Sequence, residues 1–403
     1  MSQNINSSVA KHSSTRNNVL DLFRGLAVIL VMFAHILLPS EYNSHLYIGK
    51  PNFLENVTKF LRTGGWIGVD LFFVLSGFLV SSLLFSEYKK HDNIKVKLFL
   101  IRRGFKIYPS FFIFLAVGLI FDYVVSYISG KYAIGHWDVS PMNYVYESLF
   151  VINYVGGYIN HPILWAHTWS IDVEEHFYLL IALYFYFLIK YKMLSRKIFI
   201  RTMLCLFIFC FAARLINNII YPQYNFYKDI SETHLRIDGL FFGVFLSYFN
   251  QFEKNIILKI QSKKILILYL AIPILLINFY FSQENNYWIS VYMLGINPVA
   301  WGLIMVSLLN SQNKFLNKRN LITKIGLNSY SIYLWHILIN LFLIKILLHL
   351  GVKLYFITNW YSYFILYFLI SIFLGIFLTK LIEAPFLKLR DKFYPARGIV
   401  KVN

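Results

Sequence analysis

The stretch LDLFRGLAVILVMFAH, residues 20–35, is an apolar run of membrane-helix character that contains an arginine at position 24 and a histidine at position 35. In an α-helix this separation is about three turns, so Arg24 and His35 lie on nearly the same face, about 16 Å apart along the axis. An ionised group inside a bilayer costs about 2.5–3.5 kcal/mol on insertion scales, so such groups usually face a cavity or a partner. One face of this helix is therefore expected to face a polar site.

The composition places the chain among polytopic membrane proteins. Of its 403 residues, 58% are hydrophobic and 14% are charged, and the mean hydropathy is +0.57, which is too apolar for a soluble protein of this length. The net charge of +19 comes from basic clusters that alternate with apolar runs, which is typical of the positive-inside rule and not of nucleic-acid binding. The two cysteines, Cys205 and Cys210, lie in one apolar segment, so no disulfide framework is expected.

Ten apolar runs are long enough to cross a bilayer, since a spanning helix needs about twenty such residues. They fall at 20–39, 66–86, 107–129, 169–189, 198–217, 234–250, 264–281, 288–309, 328–350 and 360–382. An eleventh run, 142–159, is interrupted by polar residues and glycines. The strongly basic connections 87–106 and 190–201 belong on one cytoplasmic side, which they share only if 142–159 does not cross. That run is therefore expected to be a re-entrant or interfacial element within one long external loop, 130–168.

The resulting fold prediction is an all-α polytopic membrane protein with ten transmembrane helices and both termini in the cytoplasm. Residues 1–19 are polar and lack a signal-peptide core, so they are expected to form a cytoplasmic N-terminal segment ahead of a retained first helix. Residues 20–385 are expected to form one membrane domain, and residues 386–403 a basic cytoplasmic tail.

Many ionisable residues lie at membrane depth in this topology, and most converge on the external half of the helix bundle. Besides His35, these polar positions are Asp70 with Ser76 deeper in the same helix, His167, Asp172, Glu174, Glu175, His176, Arg236, Asp238 and His336. Some have structural alternatives: Arg24 can snorkel to the inner interface, and Asp70 can pair with Arg236 as structural glue. Adjacent helical residues point about 100° apart, so at most one of Glu174 and Glu175 is expected to be central.

Histidine, carboxylates and arginine in an enclosed site are the groups needed for acid–base chemistry on a hydroxyl. A neutral imidazole can take the proton of an attacking alcohol, a carboxylate can orient that imidazole, and an arginine can stabilise the negative charge that develops. The same groups also suit a proton-coupled transporter of a saccharide or small solute. Residue types alone leave both functions open.

A second basic site lies in LIRRGFKIYP, residues 100–109, at the predicted start of a helix. Arg102, Arg103 and Lys106 are clustered at helical spacing, which suits a phosphate-bearing ligand. Positive-inside topology and contact with membrane lipid headgroups are the alternative explanation for these charges.

Six motifs in order make the sequence resemble the acyltransferase-3 family of bacterial membrane acyltransferases. Their positions, in chain order, are LDLFRGLAVILVMFAH at 20–35, GVDLFFVLSGFL at 68–79, RRGFKIYP at 102–109, WSIDVEEHFYLL at 169–180, SYSIYLWH at 329–336 and IEAPFLKLR at 382–390. The family fold is a ten-helix domain with both ends cytoplasmic. The resemblance thus implies that 20–385 is an acyltransferase-3 membrane domain.

The family resemblance also implies roles for individual residues. Arg24 and His35 correspond to the family's functional pair, with His35 as catalytic base or transient acyl carrier, assisted by Glu174 or Glu175. Arg102, Arg103 and Lys106 would bind the phosphates of the acyl donor. Lys106 stands where the family often has an arginine, and this keeps the charge but loses bidentate geometry. Asp172 and His176 also depart from the family pattern and are expected to tune the choice of acceptor.

The resemblance implies an O-acyltransferase, and specifically an O-acetyltransferase, in the bacterial inner membrane. Acetyl-CoA would be the donor, and the acceptor would be an extracytoplasmic carbohydrate such as O-antigen, lipopolysaccharide or its lipid-linked precursor. No metal is expected, because no His, Asp or Glu set has convincing ligand spacing. The oligomeric state does not follow from the sequence.

Overall fold

The computed structural model describes residues 17–36, 53–129, 141–159, 163–193, 195–221, 224–281, 287–311, 313–349 and 360–397, and within these ranges it contains helices and no strand. The predicted segment 1–19 therefore lies almost wholly outside the described residues, as does the end of the tail. The helices are, in order, α1 (Asn18–Ala34), α2 (Phe53–Gly65), α3 (Ile67–His91), α4 (Val96–Ser129), α5 (Pro141–Ser148), α6 (Ile152–Val155), α7 (Trp169–Lys190), α8 (Arg196–Ile220), α9 (Thr233–Phe252), α10 (Lys254–Ser262), α11 (Lys264–Tyr280), α12 (Tyr287–Leu308), α13 (Lys314–Asn317), α14 (Leu321–Leu327), α15 (Ser329–His349), α16 (Trp360–Leu378) and α17 (Ala384–Phe393).

The described helices form a multi-pass membrane bundle. Five helical segments are long and apolar enough to cross a bilayer, and two further pairs, α10–α11 and α14–α15, qualify if each bent pair is one span. Helix α1 has 17 described residues, and α7 begins with three carboxylates, so neither meets the same standard of length and composition. The described residues thus support five to seven spans, and the number ten remains a prediction.

Two segments refine the sequence-based boundaries. Helix α4 begins at Val96, well before the predicted start at residue 107. Arg102, Arg103 and Lys106 therefore lie inside the helix, and the expectation that they stand at its start is wrong, so they gain nothing from the N-terminal dipole, which acts within the first turn. The interrupted run 142–159 forms α5, α6 and a single 3₁₀ turn, each too short to cross a bilayer alone.

Helices α3 and α9 pack closely at the centre of the bundle because glycines face each other across the contact. A Cβ on Gly77 would lie 1.8 Å from the Leu240 carbonyl oxygen, and one on Gly243 would lie 2.2 Å from that of Val74. Small residues at such crossings let helix backbones approach closely. In lipid the hydrophobic effect does not drive helix association, so helices associate through this close packing. This contact fixes the position of α3, which carries Asp70 and Ser76.

Candidate active site

A central cavity lies between α1, α3, α4, α7 and α15. Its walls are partly apolar, with Phe72 and Phe73 among the lining residues. Its polar lining consists of Arg24, Ser76, Arg103, Lys106, Ser170, Glu174, Tyr178, Ser329, Tyr330 and Tyr333. The helices thus bring together side chains that are up to about 300 positions apart in the sequence.

One carboxylate faces this cavity, and it belongs to Glu174. Its Oε1 accepts a hydrogen bond of 2.6 Å from the Tyr178 hydroxyl and another from the Ser76 hydroxyl. Glu175 points elsewhere and is buried, where its Oε2 accepts a hydrogen bond of 3.0 Å from Tyr108 of α4. The expectation that only one of the two glutamates is central agrees with this geometry.

Three cations, Arg24, Arg103 and Lys106, line the same cavity. Arg24 also pairs with Asp21 one turn earlier, at 3.0 Å, and the Arg103 guanidinium lies 5.7 Å from the centre of the Tyr178 ring. Among the described lining residues these cations outnumber the one carboxylate, Glu174, while Asp21 and Glu383 beside the cavity interact with Arg24 and Lys106. Such a cavity can bind an anionic ligand.

Arg102 lies outside this cluster, although the sequence groups it with Arg103 and Lys106. Its Nη2 lies 3.1 Å from the Asp391 carboxylate of α17, and its Nη1 donates to the backbone carbonyl of Tyr394. The Phe105 ring also packs against Tyr394. Arg102 therefore anchors the C-terminal segment against α4.

His35 lines a second cavity at the end of α1, which we name the outer cavity after its predicted side of the membrane. Arg62 of α2 and Asn340 of α15 share it, and the rest of its described lining is Ala34, Ile36, Ile337 and Leu341. Arg24 and His35 thus line different cavities, although one polar site was expected for this face of the helix.

Hydrogen bonds define which nitrogen of His35 can accept a proton. Its Nδ1 lies 2.9 Å from the Val31 carbonyl oxygen and 3.3 Å from Nε2 of His336, whose own Nδ1 lies 2.5 Å from the Tyr333 carbonyl oxygen. Because a carbonyl can only accept, both Nδ1 atoms are assigned hydrogens. His336 Nε2 then accepts from His35, and His35 Nε2 keeps its lone pair.

A third histidine completes this cluster. The His167 ring centre lies 5.0 Å from that of His336 and 6.3 Å from that of His35, and its Nε2 donates to the Leu334 carbonyl at 3.0 Å. The Tyr333 ring lies 5.3 Å from His167 and 5.8 Å from His336, and Tyr333 also lines the central cavity. Tyr333 and the histidines therefore stand between the two cavities.

Three predicted site residues form buried ion pairs instead of lining either cavity. Arg236 Nη2 lies 2.6 Å from Asp70 Oδ1, and Asn297 donates to the other oxygen of Asp70 at 3.1 Å. Asp238 pairs with Arg214 at 2.8 Å. These contacts connect α3, α8, α9 and α12. Asp70 and Arg236 thus form the structural ion pair that the sequence offered as the alternative to a role in the site.

Asp172 holds α6 to the bundle, and His176 contacts the start of α9. The Asp172 carboxylate accepts the backbone N–H of Asn153 at 3.0 Å, and His176 Nδ1 lies 2.6 Å from the Thr233 hydroxyl. Glu147 of α5 accepts from Thr168 at 3.0 Å, and burial raises the pKa of its carboxyl well above its usual range. Neither Asp172 nor His176 is among the described residues that line the two cavities.

Several lining residues were missed from the sequence. Arg62, Tyr178 and Asn340 line the cavities but are not among the predicted site residues. Tyr178 follows Glu174 by four residues, so helical spacing was a usable signal that the two side chains meet. Arg62 and Asn340 come from distant segments, and no local pattern points to them. Among the described residues, no group of three His, Cys, Asp or Glu is placed to hold a metal ion.

Comparisons with known proteins agree with the motifs. A family model for an acyltransferase domain, acyltransferase 3, matches residues 17–380. The chain is 27% identical over 290 residues to O-acetyltransferase OatA of Staphylococcus aureus strain NCTC 8325, covering 68% of this chain and 46% of that protein. It is 25% identical over 283 residues to peptidoglycan O-acetyltransferase OatA of Listeria monocytogenes strain EGD-e, covering 68% and 44%. The chain thus spans about half the length of these relatives, and no solved structure matches it.

Proposed function

The chain belongs to the acyltransferase-3 family, and from this premise we propose that it is a membrane O-acetyltransferase with acetyl-CoA as donor and an extracytoplasmic glycan as acceptor. The relatives named O-acetyltransferase support the acetyl group. The acceptor is a surface polysaccharide or its lipid-linked precursor, lipopolysaccharide being one candidate. Peptidoglycan is another, since it is in the name of the Listeria relative. The proposed location is the bacterial inner membrane, where both substrates are within reach.

The observation that carries the proposal is that the central cavity contains three cations, and the neighbouring outer cavity contains a histidine that can act as a base. Arg24, Arg103 and Lys106 supply the charge that the phosphates of CoA require. The pantetheine arm is long and narrow, and it would extend from these cations past Tyr333 toward His35. Ser76, Tyr178 and Glu174 offer hydrogen bonds along that path.

His35 acts as the general base in this proposal. Its Nε2 accepts the proton of the acceptor hydroxyl while that oxygen attacks the thioester carbonyl carbon. The carbon–sulfur bond then breaks, and the imidazolium returns the proton to the CoA sulfur. His336 takes the orienting role that the sequence assigns to a carboxylate, because its Nε2 accepts from the Nδ1–H of His35.

We expect His336→Leu to lower kcat by about 10²-fold, within the range that general-base catalysis contributes, because the Nδ1–H of His35 then loses one of its two acceptors, which orients the ring and stabilises the imidazolium. The KM for acetyl-CoA should stay within about twofold of the wild-type value, since ring orientation and not donor binding is altered. His336→Gln keeps an acceptor near the position of Nε2 and should recover part of the rate. Equal loss in both variants would show that His336 serves packing alone.

The donor cavity makes a separate prediction for binding. Arg103→Gln is expected to raise the KM for acetyl-CoA by about tenfold to a hundredfold, because a hydrogen bond to a charged group is worth about 1.5–3 kcal/mol. Arg102→Gln is the matched control: its guanidinium is engaged by Asp391 and Tyr394, so the KM should change by less than about threefold. Steady-state kinetics on both variants decide the matter, and the reverse order of effects would contradict the donor path.

The activity itself is tested with purified protein in liposomes and acetyl-CoA labelled in the acetyl group. Loss of label from CoA, with transfer to a glycan acceptor or to water, is the expected result. A protein that is folded but neither binds nor consumes acetyl-CoA would overturn the proposal, and movement of labelled saccharide across the vesicle membrane would then support the transporter alternative.

A further inference from the structure

The outer cavity contains a second ionisable side chain besides His35. Among the described residues that line it, Arg62 and His35 are the titratable ones, and Asn340 is the remaining polar one. The Asn340 amide is engaged on both sides, since it donates to the His35 carbonyl at 3.1 Å and its oxygen accepts from the Tyr363 hydroxyl. The guanidinium of Arg62 is thus the cation that shares the cavity with the proposed base.

Close packing of α2 on α1 holds Arg62 in place. A Cβ on Gly65 would lie 2.4 Å from the Leu30 carbonyl oxygen and 2.7 Å from the Ala34 backbone nitrogen, so the end of α2 lies directly against the end of α1. Arg62 precedes Gly65 by three residues and therefore lies on the same helix face. The approach that requires glycine at position 65 is what places Arg62 beside His35.

The aliphatic lining strengthens the electrostatic interactions of a cation in this cavity. Ala34, Ile36, Ile337 and Leu341 keep the surroundings apolar, and a charge acts more strongly in such a medium than in water. A fixed positive group aimed at the place where negative charge develops lowers the barrier of acyl transfer. Arg24, the arginine that the family resemblance pairs with His35, lies instead in the central cavity.

We infer that Arg62 is a catalytic residue whose guanidinium binds the oxyanion formed during acetyl transfer; the inference rests on the proposed function. As the acceptor oxygen bonds to the carbonyl carbon, its proton passes to His35 and the carbonyl electron pair moves to the oxygen beside Arg62. Return of that pair restores the carbonyl and expels the CoA sulfur, which takes the proton from His35. Arg24 then serves the donor end alone.

The test compares Arg62→Gln and Arg62→Lys with Lys59→Gln in liposomes. Lys59 is an exposed cation on the same helix, outside the described lining of the cavity, and it is the matched control. Two rates are measured with labelled acetyl-CoA: transfer to a neutral sugar acceptor, and hydrolysis in the absence of acceptor. Both pass through the same oxyanion, so both report on its stabilisation.

We expect Arg62→Gln to lower kcat of both reactions by about 10²–10³-fold, the usual loss for one oxyanion donor, with an unchanged KM for acetyl-CoA. Arg62→Lys should keep an intermediate rate, and Lys59→Gln should match the wild type. If Arg62→Gln hydrolyses acetyl-CoA like the wild type, or changes only the KM of the sugar acceptor, the inference is overturned. No turnover by the wild-type protein overturns the proposed function and this inference together, whereas full activity in Arg62→Gln overturns the inference alone.

Discussion

His35→Gln is expected to lower kcat for acetyl transfer by about 10²–10⁴-fold, the contribution of a general base, with little change in the KM for acetyl-CoA. The amide has no nitrogen that can take a proton at neutral pH, but it keeps most of the volume of imidazole. The donor phosphates are proposed to bind about 16 Å away, at the level of Arg24, so binding should be preserved. Transfer of labelled acetyl groups in liposomes measures both parameters.

The control for this substitution is His91→Gln, at an exposed position on the surface of α3. Its rate should equal that of the wild type. If His35→Gln remains folded and transfers acetyl groups as fast as the wild type, the assignment of the base is wrong, although the family and the donor would stand.

The second large effect is expected on stability. Asp70→Ala should lower the free energy of unfolding by about 3–5 kcal/mol, because it leaves the buried Arg236 guanidinium without its counter-ion. Asp391→Ala also removes an arginine's partner, but that carboxylate is 55% exposed, and the expected loss is about 1 kcal/mol or less. Denaturation in detergent compares the two variants.

A double substitution separates the charge effect from packing. Asp70→Leu combined with Arg236→Met removes both charges, and the apolar pair should recover much of the stability lost in Asp70→Ala. If Asp70→Ala costs no more than Asp391→Ala, the pair does not stabilise the contact between α3 and α9.

The bounds of several helices were predictable from the sequence, because a helix that crosses a membrane requires a long apolar run. The run 234–250 corresponds to α9, Thr233–Phe252, and 264–281 corresponds to α11 within one residue at each end. The start of α4 was not predictable in this way, since its first turns contain the cations of residues 97–106, which interrupt the apolar run. Cations do not prevent helix formation, but they lower the local hydropathy, so a hydropathy criterion places the start of the helix too late.

The candidate site was predictable in its residue types and less so in its arrangement. The angle between neighbouring helical positions restricts the cavity to one glutamate, but the choice of Glu174 depends on the packing of α3, which brings Ser76 to it. The separation of Arg24 from His35 follows from helical rise, whereas the presence of Arg62 beside His35 depends on the contact between α1 and α2. Contacts between distant segments carry no local sequence signal.

The hydrogen bonds of the histidine cluster limit how far a proton can move through the membrane domain. The Nδ1–H of His35 is shared between a peptide carbonyl and His336, and the Nδ1–H of His336 ends at the carbonyl of Tyr333. A peptide oxygen cannot hand a proton onward, so this line of hydrogen bonds stops there. Acid–base chemistry at these histidines can therefore proceed inside the bilayer without a proton leak along this line, which would dissipate the electrochemical proton gradient.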